Sequence, residues 1–179
     1  ADKRKILVTG NTKFDQTYAE VTPEDLARYK EELGIKNSFP VIVAGSTHPT
    51  EEKALFEAFQ EVRKVYPDAR LVIAPRKIAR AEEIAKLGRQ YGLETGLRSR
   101  LLQVEGQRPH DPLLLIDTIG ELGRIYAVGD VVFVGGSLIK HGGHNVLEPA
   151  AHGKPILVGP SMSNFKDSFA LLKKSGSCR

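Results

Sequence analysis

The sequence predicts an α/β fold with a doubly wound parallel sheet, and three observations carry that expectation. Short apolar runs rich in β-branched residues recur along the chain: FPVIVA at 39–44, ARLVIA at 69–74, LLLI at 113–116 and VVFV at 131–134. Runs without apolar/polar alternation read as strands buried on both faces, as in a parallel sheet. Segments of helical period lie between them, and alternating strands and helices imply right-handed crossovers. Each strand also ends in a polar loop, in turn GSTHP, PR, DTIG and GGSLIKHGGHN. A doubly wound sheet collects such loops on one edge, where ligands bind at the switch in strand order.

Lys5–Thr9 reads as a short strand or linker, followed by the turn GNTKFD. A first helix starts with Thr22 as N-cap, Pro23 at its first position and Asp25 in its first turn, and Gly34 stops it. Its thin apolar side (Leu26, Tyr29, Leu33) predicts a surface position. The Phe39–Ala44 strand precedes a helix over about Glu51–Tyr66, whose stripe is Leu55, Phe59, Val62 and Tyr66, broadened by Ala54, Ala58 and Val65. The Ala69–Ala74 strand closes at Pro75-Arg76, and a helix from about Ala79 to Tyr91 ends at Gly92. Leu93–Arg108 is less regular, with a short strand near Thr95–Arg98 and then a loop. Leu113–Ile116 leads through Asp117-Thr118-Ile119-Gly120 to a helix ending near Tyr126. After the Val131–Val134 strand come a short helix opening near Asn145, a strand at Pro155–Val158 and a helix over Asn164–Lys174.

With 179 residues, 41% of them hydrophobic, the chain can bury one sizeable core. The 26 basic and 22 acidic residues are interspersed, and a net charge of +4 is too small and scattered to argue for nucleic acid. Cys178 is the one cysteine, so no intrachain disulfide is possible, which agrees with a reducing compartment. No apolar run approaches the roughly 20 residues that span a bilayer, so the segment is expected to be soluble.

The stretch from Val131 to Pro149, VVFVGGSLIKHGGHNVLEP, organises the functional reading. A buried strand stops at Gly135-Gly136, a Gly-rich loop follows, and a helix opens. Helix N–H groups and glycine backbone can approach a phosphate there. Glu148, three residues into the helix, has two acceptor oxygens for the hydroxyls of a ribose. Arg76 reads either as a solvated strand-end residue or as a cation at the ligand edge. Together with Lys140 and the helix dipole it would neutralise a leaving phosphate without a metal. Asp117 with Thr118 reads as a cap for the following helix in preference to chemistry. Ile119-Gly120 would present main-chain groups to a base edge. His141, His144 and His152 invite a metal site. Their spacing is not the helical i, i+4 pattern, His152 falls on the far side of the short helix, and no cysteine is near, so no metal site is expected. Ser46 and Ser137 lack the G-x-S-x-G elbow of a nucleophile. The G-x-G-x-x-G and G-x-x-x-x-G-K-[ST] fingerprints are both absent, which disfavours dinucleotide dehydrogenases and P-loop NTPases. What remains suits a nucleotide-sugar donor site.

GSTHPTEE at 45–52, APR at 74–76, DTIGEL at 117–122, GGSLIKHGGHNVLEPAAHGKPILVGP at 135–160, NF at 164–165 and VTGNTKFD at 8–15 resemble the Kdo transferases. Those enzymes transfer 3-deoxy-D-manno-octulosonic acid from CMP-Kdo to a lipid A precursor in lipopolysaccharide biosynthesis. The resemblance runs along essentially the whole chain, and Gly142–Pro149 carries its most specific string. It implies the Rossmann-like C-terminal half of a GT-B glycosyltransferase, with residues 1–15 as a linker and 16–179 as the nucleotide-sugar donor-binding domain. By the same resemblance, Pro75, Arg76 and the backbone at Ile119-Gly120 would hold cytosine. Ser46, Asn145 and the glycines, with Gly135, Gly136 and Ser137 forming the loop, would meet the phosphate, and Glu148 the ribose. The sequence departs from the family at Lys77 (often His), Ile119 (commonly Met) and Lys140 (frequently Pro), which leaves the main-chain contacts intact.

The resemblance further implies that the family's N-terminal half, with its glutamate base, acceptor surface and membrane anchor, has no counterpart here, nor have its final helices. No catalytic residue is therefore expected on this chain. CMP-Kdo is the expected donor, and no cofactor or metal is required. A lipid A precursor and the cytoplasmic face of the bacterial inner membrane are expected partners of the parent enzyme. Two other readings stay open: a GT-B enzyme using a UDP-sugar, and a non-catalytic nucleotide-binding module.

Overall fold

In a computed structural model, residues 18, 20–103 and 111–179 are described. The strand or linker expected at Lys5–Thr9, the turn after it, the VTGNTKFD segment and part of the 93–108 loop lie outside those residues. The elements run α1 (Pro23–Glu32), β1 (Val41–Thr47), α2 (Glu51–Val65), β2 (Arg70–Pro75), α3 (Ala81–Gln90), β3 (Thr95–Leu97) and α4 (Arg98–Leu101). They continue β4 (Leu113–Leu115), α5 (Leu122–Val128), β5 (Val131–Val134), α6 (Leu147–Ala151), β6 (Ile156–Leu157) and α7 (Lys166–Lys174). The six strands form one sheet in the order β3-β4-β2-β1-β5-β6, and every pairing is parallel. The doubly wound Rossmann-like fold expected from the sequence is the fold observed.

Alternation within the strands divides the core. Val72 and Ala74, Leu114 and Ile116, Val132 and Val134 face the layer of α1, α5, α6 and α7. Leu71 and Ile73, Leu113 and Leu115, and Phe133 face α2 and α3. This period of two explains why the strands are apolar throughout: both faces are covered.

Local signals were realised where they were strongest. Thr22 and Asp25 form a reciprocal capping box on α1, with Pro23 at its start. The stripe of α2 is rotated from the expected one. Phe56 and Phe59 are its buried aromatics, while Ala54, Ala58 and Val65 are exposed. The rotation follows from Glu51 and Glu52, both buried at the head of the helix, which set the inward face. The loop expected after β3 begins instead with α4. Its second residue is capped from across the chain, Ser99 N–H donating to Asp117 at 2.8 Å, so Asp117 serves this helix and not the one that follows it.

One close approach aligns the central strands under the ligand edge. Tyr126 of α5 is fully buried beneath β1, and a Cβ at Gly45 would run into its ring and hydroxyl. Gly45→Ala should therefore cost about 1–3 kcal/mol in urea denaturation. Gly123→Ala, where a Cβ meets nothing within 4 Å, should leave stability unchanged or raise it by up to about 1 kcal/mol. Equal effects at the two sites would refute the packing account.

Candidate functional site: the crevice at the β1/β5 switch point

β1 pairs with β2 on one side and β5 on the other, so strand order reverses here and a crevice opens beyond their C-terminal ends. β1 ends with a register shift between Gly45 and Thr47, with Ser46 between them at φ 56°. A serine in that left-handed region stores strain of order 1–3 kcal/mol. The opposing strand makes room for it, since a Cβ at Gly135 would overlap the Ser46 carbonyl.

The loop after β5 is held by a carboxylate from another part of the chain. Glu51, 1% exposed, accepts hydrogen bonds from the N–H groups of Gly136 (2.8 Å), Ser137 (3.0 Å) and Leu138 (3.0 Å). It also accepts from His48 N–H at 2.9 Å. Gly136, at φ 67°, supplies the backbone turn that points successive N–H groups the same way, an anion-binding concavity of the kind a phosphate would use. Here the anion is Glu51. The Ser137 hydroxyl is also engaged: it donates to Val134 C=O and accepts from Gly159 N–H. The expectation that Gly136 and Ser137 offer free backbone groups to a phosphate is corrected accordingly, because their donors are already satisfied. Glu52 is the companion anchor, accepting from Thr47 Oγ1 at 2.9 Å and pairing with Arg80 at 2.8 Å. Both glutamates stand in the first turn of α2, where an acidic residue also has a local explanation in the helix dipole, so the sequence alone carries no sign of this burial.

Three imidazoles line the crevice. His48, after β1, meets His144 with Nε2 to Nε2 at 2.8 Å, and the ring centroids of His48 and His141 are 4.4 Å apart. Ligand nitrogens of the three lie within 4.8 Å of one another. The trio expected to be considered for a metal is thus corrected: His48 takes the third place, and His152 instead bonds the Gly123 carbonyl at 2.7 Å. Burial, then the neighbouring imidazoles and Arg76, pushes His144 down to about 4. Burial and His141 lower His48 as well.

The other expected residues lie on the same sheet edge. Pro75 is buried at the end of β2, and Arg76 beside it is exposed, with its N–H held by the Thr47 carbonyl. Asn145 lies just before α6, and its Oδ1 accepts from the N–H of Leu147, the first residue of that helix, at 3.0 Å. Glu148, in the first turn of α6, is half-buried, and burial raises its pKa against an opposing hydrogen bond from Asn145. Ile119 is 84% exposed, and Gly120 beside it has φ 87°. Just after the tip, Glu121 pairs with Arg98 (3.0 Å), which is 3% exposed and also pairs with Glu32 (3.2 Å). Thr118 Oγ1 also donates to Glu121.

Fold and site together define a Rossmann-like domain with a polar ligand crevice at its topological switch point. No protein-family model matches the chain. Among solved structures, Anabaena HepE in complex with UDP-glucose aligns with a TM-score of 0.53 at 17% identity, over 79% of this chain and 36% of that one, which shows the fold alone. The C-terminal CMP-Kdo binding domain of WaaA from Acinetobacter baumannii aligns with a TM-score of 0.75 at 29% identity, covering 86% of this chain and 78% of that one. The 3-deoxy-D-manno-octulosonic acid transferase of Aquifex aeolicus is 36% identical over 143 residues, 80% of this chain. That of Haemophilus influenzae is 34% identical over 172 residues, 95% of this chain. The chain belongs to the Kdo transferase family. It spans 38% and 39% of the length of these two relatives.

Two measurements check this description. Glu51→Gln turns an amide N–H toward two backbone donors. Each buried donor left without an acceptor costs about 1–3 kcal/mol, so the expected loss in urea denaturation is about 2–6 kcal/mol. Exposed Glu61→Gln should change stability by less than about 1 kcal/mol. For Glu121, burial would raise the carboxyl, but Arg98 and Thr118 outweigh it and hold it below its ordinary 4.5. Folding therefore favours the ionised form, and that stabilisation is complete above about pH 4.5 and lost as pH falls through the lower folded-state value. Wild type should lose stability below pH 4.5 more steeply than Glu121→Gln.

Proposed function

We propose that this chain is the donor-binding domain of a glycosyltransferase that passes Kdo from CMP-Kdo to a lipid A precursor. The observation that carries the proposal is the convergence of Ser46, Arg76, the histidine cluster, Asn145 and Glu148 at one switch-point crevice, in a chain aligning with a CMP-Kdo binding domain. In this reading Pro75, Arg76 and the main chain at Ile119-Gly120 receive cytosine. Glu148 accepts hydrogen bonds from the ribose hydroxyls, which deliver a donor proton to its half-buried carboxylate.

The phosphate meets Ser46, Arg76 and Asn145. Because Glu51 holds the N–H groups of Gly136 and Ser137, those two residues and Gly135 act as the scaffold that shapes the pocket. Charge on the departing phosphate is offset by Arg76, and the reaction requires no metal. The acceptor hydroxyl needs a base, assigned to an N-terminal half facing this crevice, which also brings the acceptor and the cytoplasmic face of the inner membrane. Among the described residues no helix is long and apolar enough to cross a membrane. Losing a general base alone typically costs 10²–10⁴-fold, so these residues by themselves are expected to bind donor nucleotide and transfer no sugar.

Titrating the domain with CMP, UMP and UDP under NMR observation tests the reading. CMP should bind most tightly, with shifts confined to Ser46, Arg76, Gly120 and 135–148. Tighter binding of UDP would replace the donor by a UDP-sugar. Glu148→Gln keeps shape but removes charge from two hydrogen bonds, each about 1.5–3 kcal/mol when charge-assisted and about 1 when neutral. A loss of roughly tenfold or more in CMP affinity is expected, and wild-type affinity would reduce Glu148 to an ordinary helix residue.

A further inference from the structure

We propose that His48, His141 and His144 form a binding site for a first-row divalent metal of the zinc type within the switch-point crevice. Loops 96 residues apart bring His48 and His144 to 2.8 Å between Nε2 atoms, and the three ligand nitrogens lie within 4.8 Å of one another. A zinc ion with Zn–N bonds of about 2.0–2.1 Å in tetrahedral geometry separates its ligand nitrogens by roughly 3.3 Å. The close pair must open by about 0.5 Å and the widest pair close by about 1.5 Å to meet it. The exposed side of the cluster can supply that movement, since His141 is solvent-exposed.

The donor set selects the metal. Three imidazoles suit zinc, cobalt, nickel and copper, whereas magnesium and calcium require oxygen ligands. The nearest carboxylate, Glu51, has both oxygens occupied by backbone N–H groups. It stays out of the coordination sphere, yet its charge, with that of Glu52, acts on His48 from behind. Arg76 opposes a cation here, but its side chain is exposed and can swing into water. Metal ligation needs neutral imidazole. Three protein ligands leave a fourth position for water or an anion, the open arrangement of a zinc site that exchanges ligands.

Nothing in the proposed transfer requires this ion, so the site can be tested without nucleotide. The chain, prepared without an affinity tag, is titrated with Co²⁺ and read by the visible absorption of four- or five-coordinate cobalt. Zn²⁺ is then added in competition. Saturable one-to-one binding is expected, with zinc displacing cobalt. Loss of a metal's supporting partner typically costs 10–100-fold in affinity, so His48→Gln and His141→Gln should each weaken binding by at least roughly tenfold. His152→Gln, outside the cluster, should bind as wild type does. Circular dichroism on each variant establishes that the fold is retained, and imidazole NMR signals of His48, His141 and His144 should shift together on adding Zn²⁺. Absence of one-to-one binding, or wild-type affinity in both ligand variants, would overturn the proposal. CMP binding is measured separately on metal-free protein, so a failure of the metal proposal and a failure of the donor reading are told apart.

Discussion

A carboxylate taken out of water must be met by donors wherever the chain folds around it, and Glu51 is met by four backbone N–H groups. That requirement sets the geometry of the ligand edge. Three of the donors come from the turn that ends β5 and one from the turn that ends β1. The carboxylate is therefore a clip between the two strands whose divergence opens the crevice. Desolvating a charge in this position is tolerable only with its hydrogen bonds intact, so the loops have little freedom to rearrange while the domain stays folded.

This clip changes how a Gly-rich loop after a buried strand should be interpreted. The same turn of backbone that cradles phosphate in many nucleotide sites is used here internally, with a glutamate as the anion. In the proposed reading the ligand-facing surface is one layer further out and made of side chains: Ser46 in its strained conformation, Arg76, Asn145 and the imidazoles. A site of this kind is shaped before ligand arrives, since its supports are satisfied by the protein alone. Preorganisation of that sort reduces the ordering that binding would otherwise require.

The layering of strands and helices was legible because both faces of the sheet are covered, which leaves runs such as VVFV without polar interruptions. The start of α1 was legible too, because Thr22, Pro23 and Asp25 act within one turn. Glu51 was not. An acidic residue in a helix's first turn has a sufficient local explanation in the helix dipole, and its burial depends on a loop 85 residues away. The histidine cluster failed for the same reason: helical spacing is a local test, while His48 and His144 meet through the adjacency of β1 and β5. Asp117 shows the pattern once more, capping α4 from a separate strand end where sequence proximity pointed to α5. For Asp117, local chemistry predicted the type of bond correctly and the partner wrongly.

The tip at Ile119-Gly120 illustrates how such a domain divides tolerance to change. Ile119 leaves most of its surface in water and contributes almost nothing to the folded state. The segment is tied down beside the tip, where Glu121 accepts from Thr118 and pairs with the buried Arg98, itself paired with Glu32. The exposed side chain at position 119 can therefore be exchanged at little thermodynamic expense, whereas losing the buried guanidinium removes the cation that Glu121 pairs with. Drift at position 119 is cheap and drift at position 98 is not. In the proposed reading, a base preference taken through main chain at the tip does not depend on which side chain stands at position 119.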